Sequence, residues 1–130
     1  MIALDTNVLV RFLVDDDPAQ CRRARALVKR ATNRGGVFIS DIVLCETVWV
    51  LSRAYRLPRK DICGVLRQLL MAREVALPSP DAAARAFDAY EQRKGDFADY
   101  LIREHAEAAG CRTVATFDKT LLEEHGFTPP

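Results

Sequence analysis

Carboxylates are the residues of this chain whose types and spacing could do chemistry. Asp5 directly follows the apolar run Ile2-Ala3-Leu4, and Asp118 lies just past Thr113-Val114-Ala115-Thr116. Glu46 stands in Ile42-Val43-Leu44-Cys45-Glu46-Thr47-Val48-Trp49-Val50-Leu51, where only Glu46 and Thr47 are polar. Asp96 and Asp99 are three residues apart, immediately after Gly95. An isolated buried charge is far too costly, so a carboxylate on a mostly buried helix needs a partner, a cation or a raised pKa. Two carboxylates about 4 Å apart repel by about 4 kcal/mol at an effective dielectric of about 20. Several acids in one pocket therefore require cations. Oxygen-only donors, without Cys or His at ligand spacing, select Mg²⁺ or Mn²⁺. Such ions suit phosphodiester hydrolysis, because they polarise the phosphate, lower the pKa of an attacking water and stabilise the leaving oxygen.

Each acid also has a purely structural account. Aspartates after strands commonly turn the chain or cap the next helix. Asp96 as an N-cap with Asp99 in the first turn fits the helix dipole, and Glu46 can reach out from a helix edge. In the run Asp15-Asp16-Asp17, Asp17 precedes Pro18 as a helix start and the other two face solvent.

The elements that must position these residues alternate between short β-branched runs and helical patterns. Strands are expected at 2–4, 37–39, 75–77 and 113–116. Helices are expected at about 17–32, 41–55, 59–71, 81–93 and 95–110, with a last short one at 118–124. This order predicts one α/β domain over residues 1–130, a three-layer α/β/α fold with a mainly parallel central sheet of four to five strands. Ligands gather at the carboxyl ends of such strands. If the first and fourth strands are neighbours, Asp5 and Asp118 converge at one rim, and the helices bearing Glu46 and Asp99 can point into it.

The chain has 130 residues, 28% charged and 49% hydrophobic, with a net charge of +1. It is an ordinary globular composition, and the overall charge balance alone predicts no nucleic-acid or membrane partner. Local charge differs. Pro18 to Ser40 holds no acid but carries Arg22, Arg23, Arg25, Lys29, Arg30 and Arg34. Arg22, Arg25 and Lys29 share a helical face opposite the apolar stripe, which is either a solvated face or a phosphate track toward an acidic pocket. Arg11, Arg112 and Lys119 are further candidates near the rim. Cys21, Cys45, Cys63 and Cys111 form no C-x-x-C pair and read as small buried hydrophobes. No apolar run reaches membrane-spanning length and no leader pattern opens the chain, so a cytoplasmic location is expected. The apolar helices around Trp49 and Leu66 should offer more hydrophobic surface than a monomer covers.

Taken in order, Asp5-Thr6-Asn7, the lone Glu46 in an apolar helix, Gly95-Asp96-Phe97-Ala98-Asp99-Tyr100-Leu101-Ile102 and Thr116-Phe117-Asp118 resemble the PIN-domain ribonucleases, VapC-like toxins of type II toxin–antitoxin pairs in particular. The resemblance covers the whole chain. It implies that Asp5, Glu46, Asp99 and Asp118 fill the four acidic positions, with Asp96 as an added acid. It also implies that Thr116 orients the site through its hydroxyl and that Thr6 or Asn7 holds the loop carrying Asp5. Mg²⁺-dependent endoribonuclease activity, a homodimer and inhibition by an antitoxin follow from the same likeness. The short end Gly126-Phe127-Thr128-Pro129-Pro130 leaves little for a final strand.

Other readings fit less well. A haloacid-dehalogenase-type phosphatase needs a second carboxylate where Asn7 stands. A receiver-type domain needs paired acids after the first strand and a separate late lysine. Dinucleotide and nucleoside-triphosphate folds need glycine loops that this chain lacks. A catalytically silent binding module on the same fold is the alternative from a different class.

Overall fold

The computed structural model describes residues 1–130. The chain divides into two compact units, Met1–Pro80 and Asp81–Pro130.

The first unit runs β1 (Ile2–Ala3), α1 (Thr6–Leu13), α2 (Pro18–Thr32), β2 (Val37–Phe38), α3 (Asp41–Arg53), α4 (Arg59–Met71) and β3 (Val75–Ala76). Its three strands are parallel in the order β1-β2-β3, with Ile2 opposite Val37 and Val37 opposite Val75. The apolar residues after Asn7 continue helix α1 to Leu13, and Val14 ends it as an extended C-cap. The Asp5 side chain starts that helix by accepting the Val8 amide. Helix α2 begins where Asp17-Pro18 predicts. Asp17 accepts the Gln20 amide, and Cys21, Ala24, Val28 and Ala31 form the buried stripe. Between α2 and β2, Gly36 has φ +84°, and a Cβ there would fall on the Glu74 carbonyl oxygen. Only glycine fits this approach. Ser40 caps α3 by accepting the Val43 amide at 3.2 Å, and Pro58 precedes α4, which buries Ile62, Cys63, Leu66 and Leu69.

The second unit runs α5 (Pro80–Gln92), α6 (Phe97–Ala108), β4 (Val114–Ala115), a 3₁₀ turn at Leu121–Glu123 and β5 (Phe127–Thr128). Alanines on α5 let the large side chains approach. Ala83 and Ala86 are fully buried beside Phe87 and Tyr90 on the same helix, and the Tyr90 and Phe97 rings meet edge to face at 6.3 Å. Glu104 is buried and is neutralised by the Arg85 guanidinium, which is itself mostly exposed.

Two expectations change here. The short end does build a final strand, because β5 pairs parallel with β4 through Val114–Phe127 and Ala115–Thr128. The Arg103 guanidinium sits 5.5 Å from the Phe127 ring and donates to the His125 carbonyl, holding that strand from α6. The cysteines are free as expected, but Cys111 is exposed. No helix is long and apolar enough to cross a membrane.

Candidate active site

In the first unit, the end of β1 and the start of α1 present Asp5, Thr6 and Asn7. Asp5 is exposed, with one carboxylate oxygen engaged as the helix cap at 2.9 Å from the Val8 amide. Thr6 Oγ1 donates to Glu46 Oε2 at 3.1 Å, across 40 residues of sequence. One hydrogen bond thus ties the Asp5 loop to helix α3. It leaves Glu46 Oε1 with no protein partner.

The reason expected for Glu46 needs correcting. Glu46 is not on a buried face. It is exposed, and its flanking apolar residues Ile42 and Trp49 are 70% and 58% exposed. Helix α3 buries Leu44, Thr47, Val48 and Leu51 instead. The excess apolar surface expected around Trp49 is therefore present, whereas Leu66 lies in the core at 1% exposure.

In the second unit, Asp96 and Asp99 open α6 as a capping box. Its closer half is the Asp96 amide, which donates to Asp99 Oδ2 at 3.0 Å. The capping is thus shared, rather than falling to Asp96 with Asp99 left free. Burial pushes the Asp99 carboxyl above its ordinary range, and the Asp96 amide opposes that shift. The negative charges of Asp96, Asp118 and Glu124 push it up further. Asp118 is exposed and held by two short bonds. Its amide donates to Thr116 Oγ1 at 3.0 Å, and its Oδ1 accepts the Thr120 amide at 2.8 Å. The Thr116 hydroxyl therefore braces the backbone of the Asp118 turn.

Glu124 was not singled out by sequence. It sits past the 3₁₀ turn with no motif around it, and its nearness to Asp99 comes from Tyr100. The buried Tyr100 hydroxyl accepts the Gly95 amide at 2.8 Å and reaches Glu124 at 2.9 Å. A Cβ on Gly95 would lie 2.8 Å from that hydroxyl oxygen, so the glycine of Gly95-Asp96 is required by the tyrosine one turn on.

The donor chemistry fits a hard divalent cation, since every candidate ligand is a carboxylate oxygen and the negative charges around Asp99 raise the cost of charging it. As the side chains stand, no three Asp, Glu, His or Cys residues cluster as a ready metal cage.

The basic residues divide by face. Arg22, Arg25 and Lys29 are exposed on one flank of α2. Arg23 and Arg30 instead line a groove between α1 and α2 together with Asp5, Asn7, Arg11 and Gln20. Arg11 is engaged there. Its Nε donates to Gln20 and its Nη1 to both Asp16 and the Tyr55 hydroxyl.

Comparison with known proteins identifies the family. A VapC ribonuclease of Aquifex aeolicus (strain VF5) is 26% identical over 120 residues, covering 92% of this chain and 88% of the relative. Residues 2–126 match the family described as PIN domain. The chain therefore belongs to the PIN-domain family, and with it to the three-layer α/β/α folds built on a mainly parallel sheet.

Proposed function

We propose that residues 1–130 act as one nuclease domain, a Mg²⁺-dependent endoribonuclease that serves as the toxin of a type II toxin–antitoxin pair. Family membership and the similarity to a VapC ribonuclease support the class of activity. The observation that carries the assignment of residues is the Thr6–Glu46 hydrogen bond beside Asp5. It orients a carboxylate that nothing in the packing of α3 requires.

In this reading Asp5, Asp99 and Asp118 hold the ion, with Asp96 assisting. Bound Mg²⁺ or Mn²⁺ would supply a polarised phosphate and a water of lowered pKa. Glu46, with Oε2 fixed by Thr6, offers Oε1 to orient a water or take its proton. Thr116 keeps the Asp118 carboxylate aimed by holding its backbone, and Asn7 borders the Asp5 loop. Arg22, Arg25 and Lys29 attract the RNA polyanion at long range. The exposed Ile42 and Trp49 face suits a homodimer contact, and an antitoxin would cover the acidic site in the cytoplasm.

The deciding experiment incubates purified, antitoxin-free protein with a panel of structured and unstructured RNAs. Cleavage with Mg²⁺ or Mn²⁺ that stops with EDTA is expected. Cleavage that persists in chelator overturns the metal mechanism. Inactivity on every RNA, by protein shown to be folded, favours the silent binding module.

A further inference from the structure

We infer that the groove between α1 and α2 is a phosphate subsite for single-stranded RNA, contacted directly by Arg23 and Arg30. This rests on the ribonuclease reading and goes beyond it by naming where the strand lies. The groove encloses about 530 Å³, within the roughly 300–1,000 Å³ usual for ligand clefts. Its lining begins at Asp5 and Asn7 and runs along α2. A strand whose scissile phosphate is at Asp5 would place its next phosphates in this groove.

Helical geometry explains why these two arginines and not their neighbours line it. At roughly 100° per residue, Gln20, Arg23, Leu27 and Arg30 fall on one stripe, and Arg22, Arg25 and Lys29 fall on the opposite side of Ala26. Arg23 and Arg30 lie two turns apart, about 10.5 Å along the axis. Ala24, Ala26 and Leu27 line the groove beside them without filling it.

The electrostatics favour an anion. Arg11 is neutralised by Asp16 at 3.1 Å, so it contributes little net charge. The Arg23 and Arg30 side chains are exposed, and neither guanidinium forms an ion pair or hydrogen bond within the chain. Two unpaired guanidiniums therefore face one carboxylate, Asp5. Without them Asp5 would repel the phosphates that must pass it. Arginine supplies planar, bidentate donors suited to phosphate oxygens, and the small apolar floor leaves room for the sugar.

The test measures binding of a fluorescein-labelled single-stranded RNA oligonucleotide by anisotropy across a salt series in EDTA, and its cleavage in Mg²⁺. Arg23→Ala/Arg30→Ala should weaken binding by about tenfold or more at low salt. The slope of log K against log salt should shrink by about 1.4, roughly 0.7 for each phosphate of a single strand that the variant no longer neutralises. KM should rise with kcat nearly unchanged. Arg23→Lys/Arg30→Lys should keep the slope and lose only part of the affinity. Arg22→Ala/Arg25→Ala/Lys29→Ala serves as the comparison and should change KM less than the double variant. Alanine on an exposed helix face preserves α2, and circular dichroism checks this. An unchanged slope and KM in the double variant, with wild-type binding intact, overturns the subsite and leaves the groove to a protein partner. A wild-type chain that neither binds nor cuts the RNA overturns the ribonuclease reading and the subsite together.

Discussion

The Tyr100 hydroxyl donates to the Glu124 carboxylate, 2.9 Å from Oε1 and 3.0 Å from Oε2. The same oxygen accepts the Gly95 amide at 2.8 Å. One buried phenol thus joins the turn that opens α6 to the segment after the 3₁₀ turn. It draws a fourth carboxylate, Glu124, toward Asp99. The Asp96–Asp99 turn is held open by α6 capping from within and by Tyr100 from below.

Tyr100→Phe should therefore cost about 1–3 kcal/mol of stability, since it removes the hydroxyl that a buried amide donates to. Glu124→Gln retains an acceptor for the phenol and should cost under about 1 kcal/mol. If Tyr100 positions the acids, Tyr100→Phe should also raise the Mg²⁺ concentration needed for half-maximal cleavage. Urea denaturation and a Mg²⁺ titration of cleavage measure the two effects separately. A stability loss without any change in Mg²⁺ dependence would reduce Tyr100 to a packing residue.

Thr6→Val removes the donor to Glu46 while keeping the β-branched shape. The bond is exposed, so stability should change by no more than about 0.5 kcal/mol. Cleavage should fall by about tenfold or more, because Glu46 loses its orientation. Thr6→Ser restores the hydroxyl and should restore the rate. Equal activity of the valine and serine variants contradicts a catalytic use of Glu46.

Much of this arrangement is legible in the sequence, for identifiable reasons. Asp17-Pro18 announces a helix start because capping is local chemistry. The stripe of Cys21, Ala24, Val28 and Ala31 announces the buried face of α2 because it keeps helical period. Glu46 misleads, since an apolar run does not reveal which of its residues stay exposed, and Ile42 and Trp49 do. The same limit hid Arg23 and Arg30, whose stripe matters only once α1 packs beside α2. Glu124 is invisible because its neighbour Tyr100 is 24 residues away. Strand β5 was obscured by brevity, as two residues carry no period.

Acid conditions should loosen the α1–α2 connection. The Tyr55 hydroxyl, donating to Asp16, is the main cause holding that carboxyl below its usual range, and Arg11 adds to it. A depressed folded pKa stabilises the fold above the unfolded value of about 3.9. That contribution is lost as pH falls through the lower folded value. Asp16→Asn should therefore lower Tm slightly near neutrality and flatten the acid limb of the Tm-against-pH profile. Parallel profiles for the two proteins would show that the network does not contribute. All three side chains reach solvent, so the shift should shrink in high salt.

Ile42 and Trp49 are exposed apolar residues of α3, and a homodimer that covers them while leaving the Glu46 carboxylate open makes a specific prediction. Trp49→Asp should yield a monomer in sedimentation where the parent chain is a dimer, with its melting little changed, since an exposed side chain contributes little to the core. A parent chain that stays monomeric at high concentration contradicts the dimer.

The two acids of the α6 turn should separate by role. Asp99→Asn removes the carboxylate that burial and three neighbouring charges already disfavour, so the metal-free protein should hold or gain stability. The asparagine carbonyl can still accept the Asp96 amide, so the cap survives. Cleavage should nevertheless drop by on the order of a hundredfold or more, because a charged ligand is lost from the reaction. Asp96→Asn keeps a good N-cap residue and leaves Asp99 in place, so it should cost under about 1 kcal/mol and only part of the activity. Melting temperature without metal and cleavage with it, measured on both variants, decide the matter. An inactive Asp96→Asn beside an active Asp99→Asn would reverse the two assignments and move the principal ligand to the exposed acid.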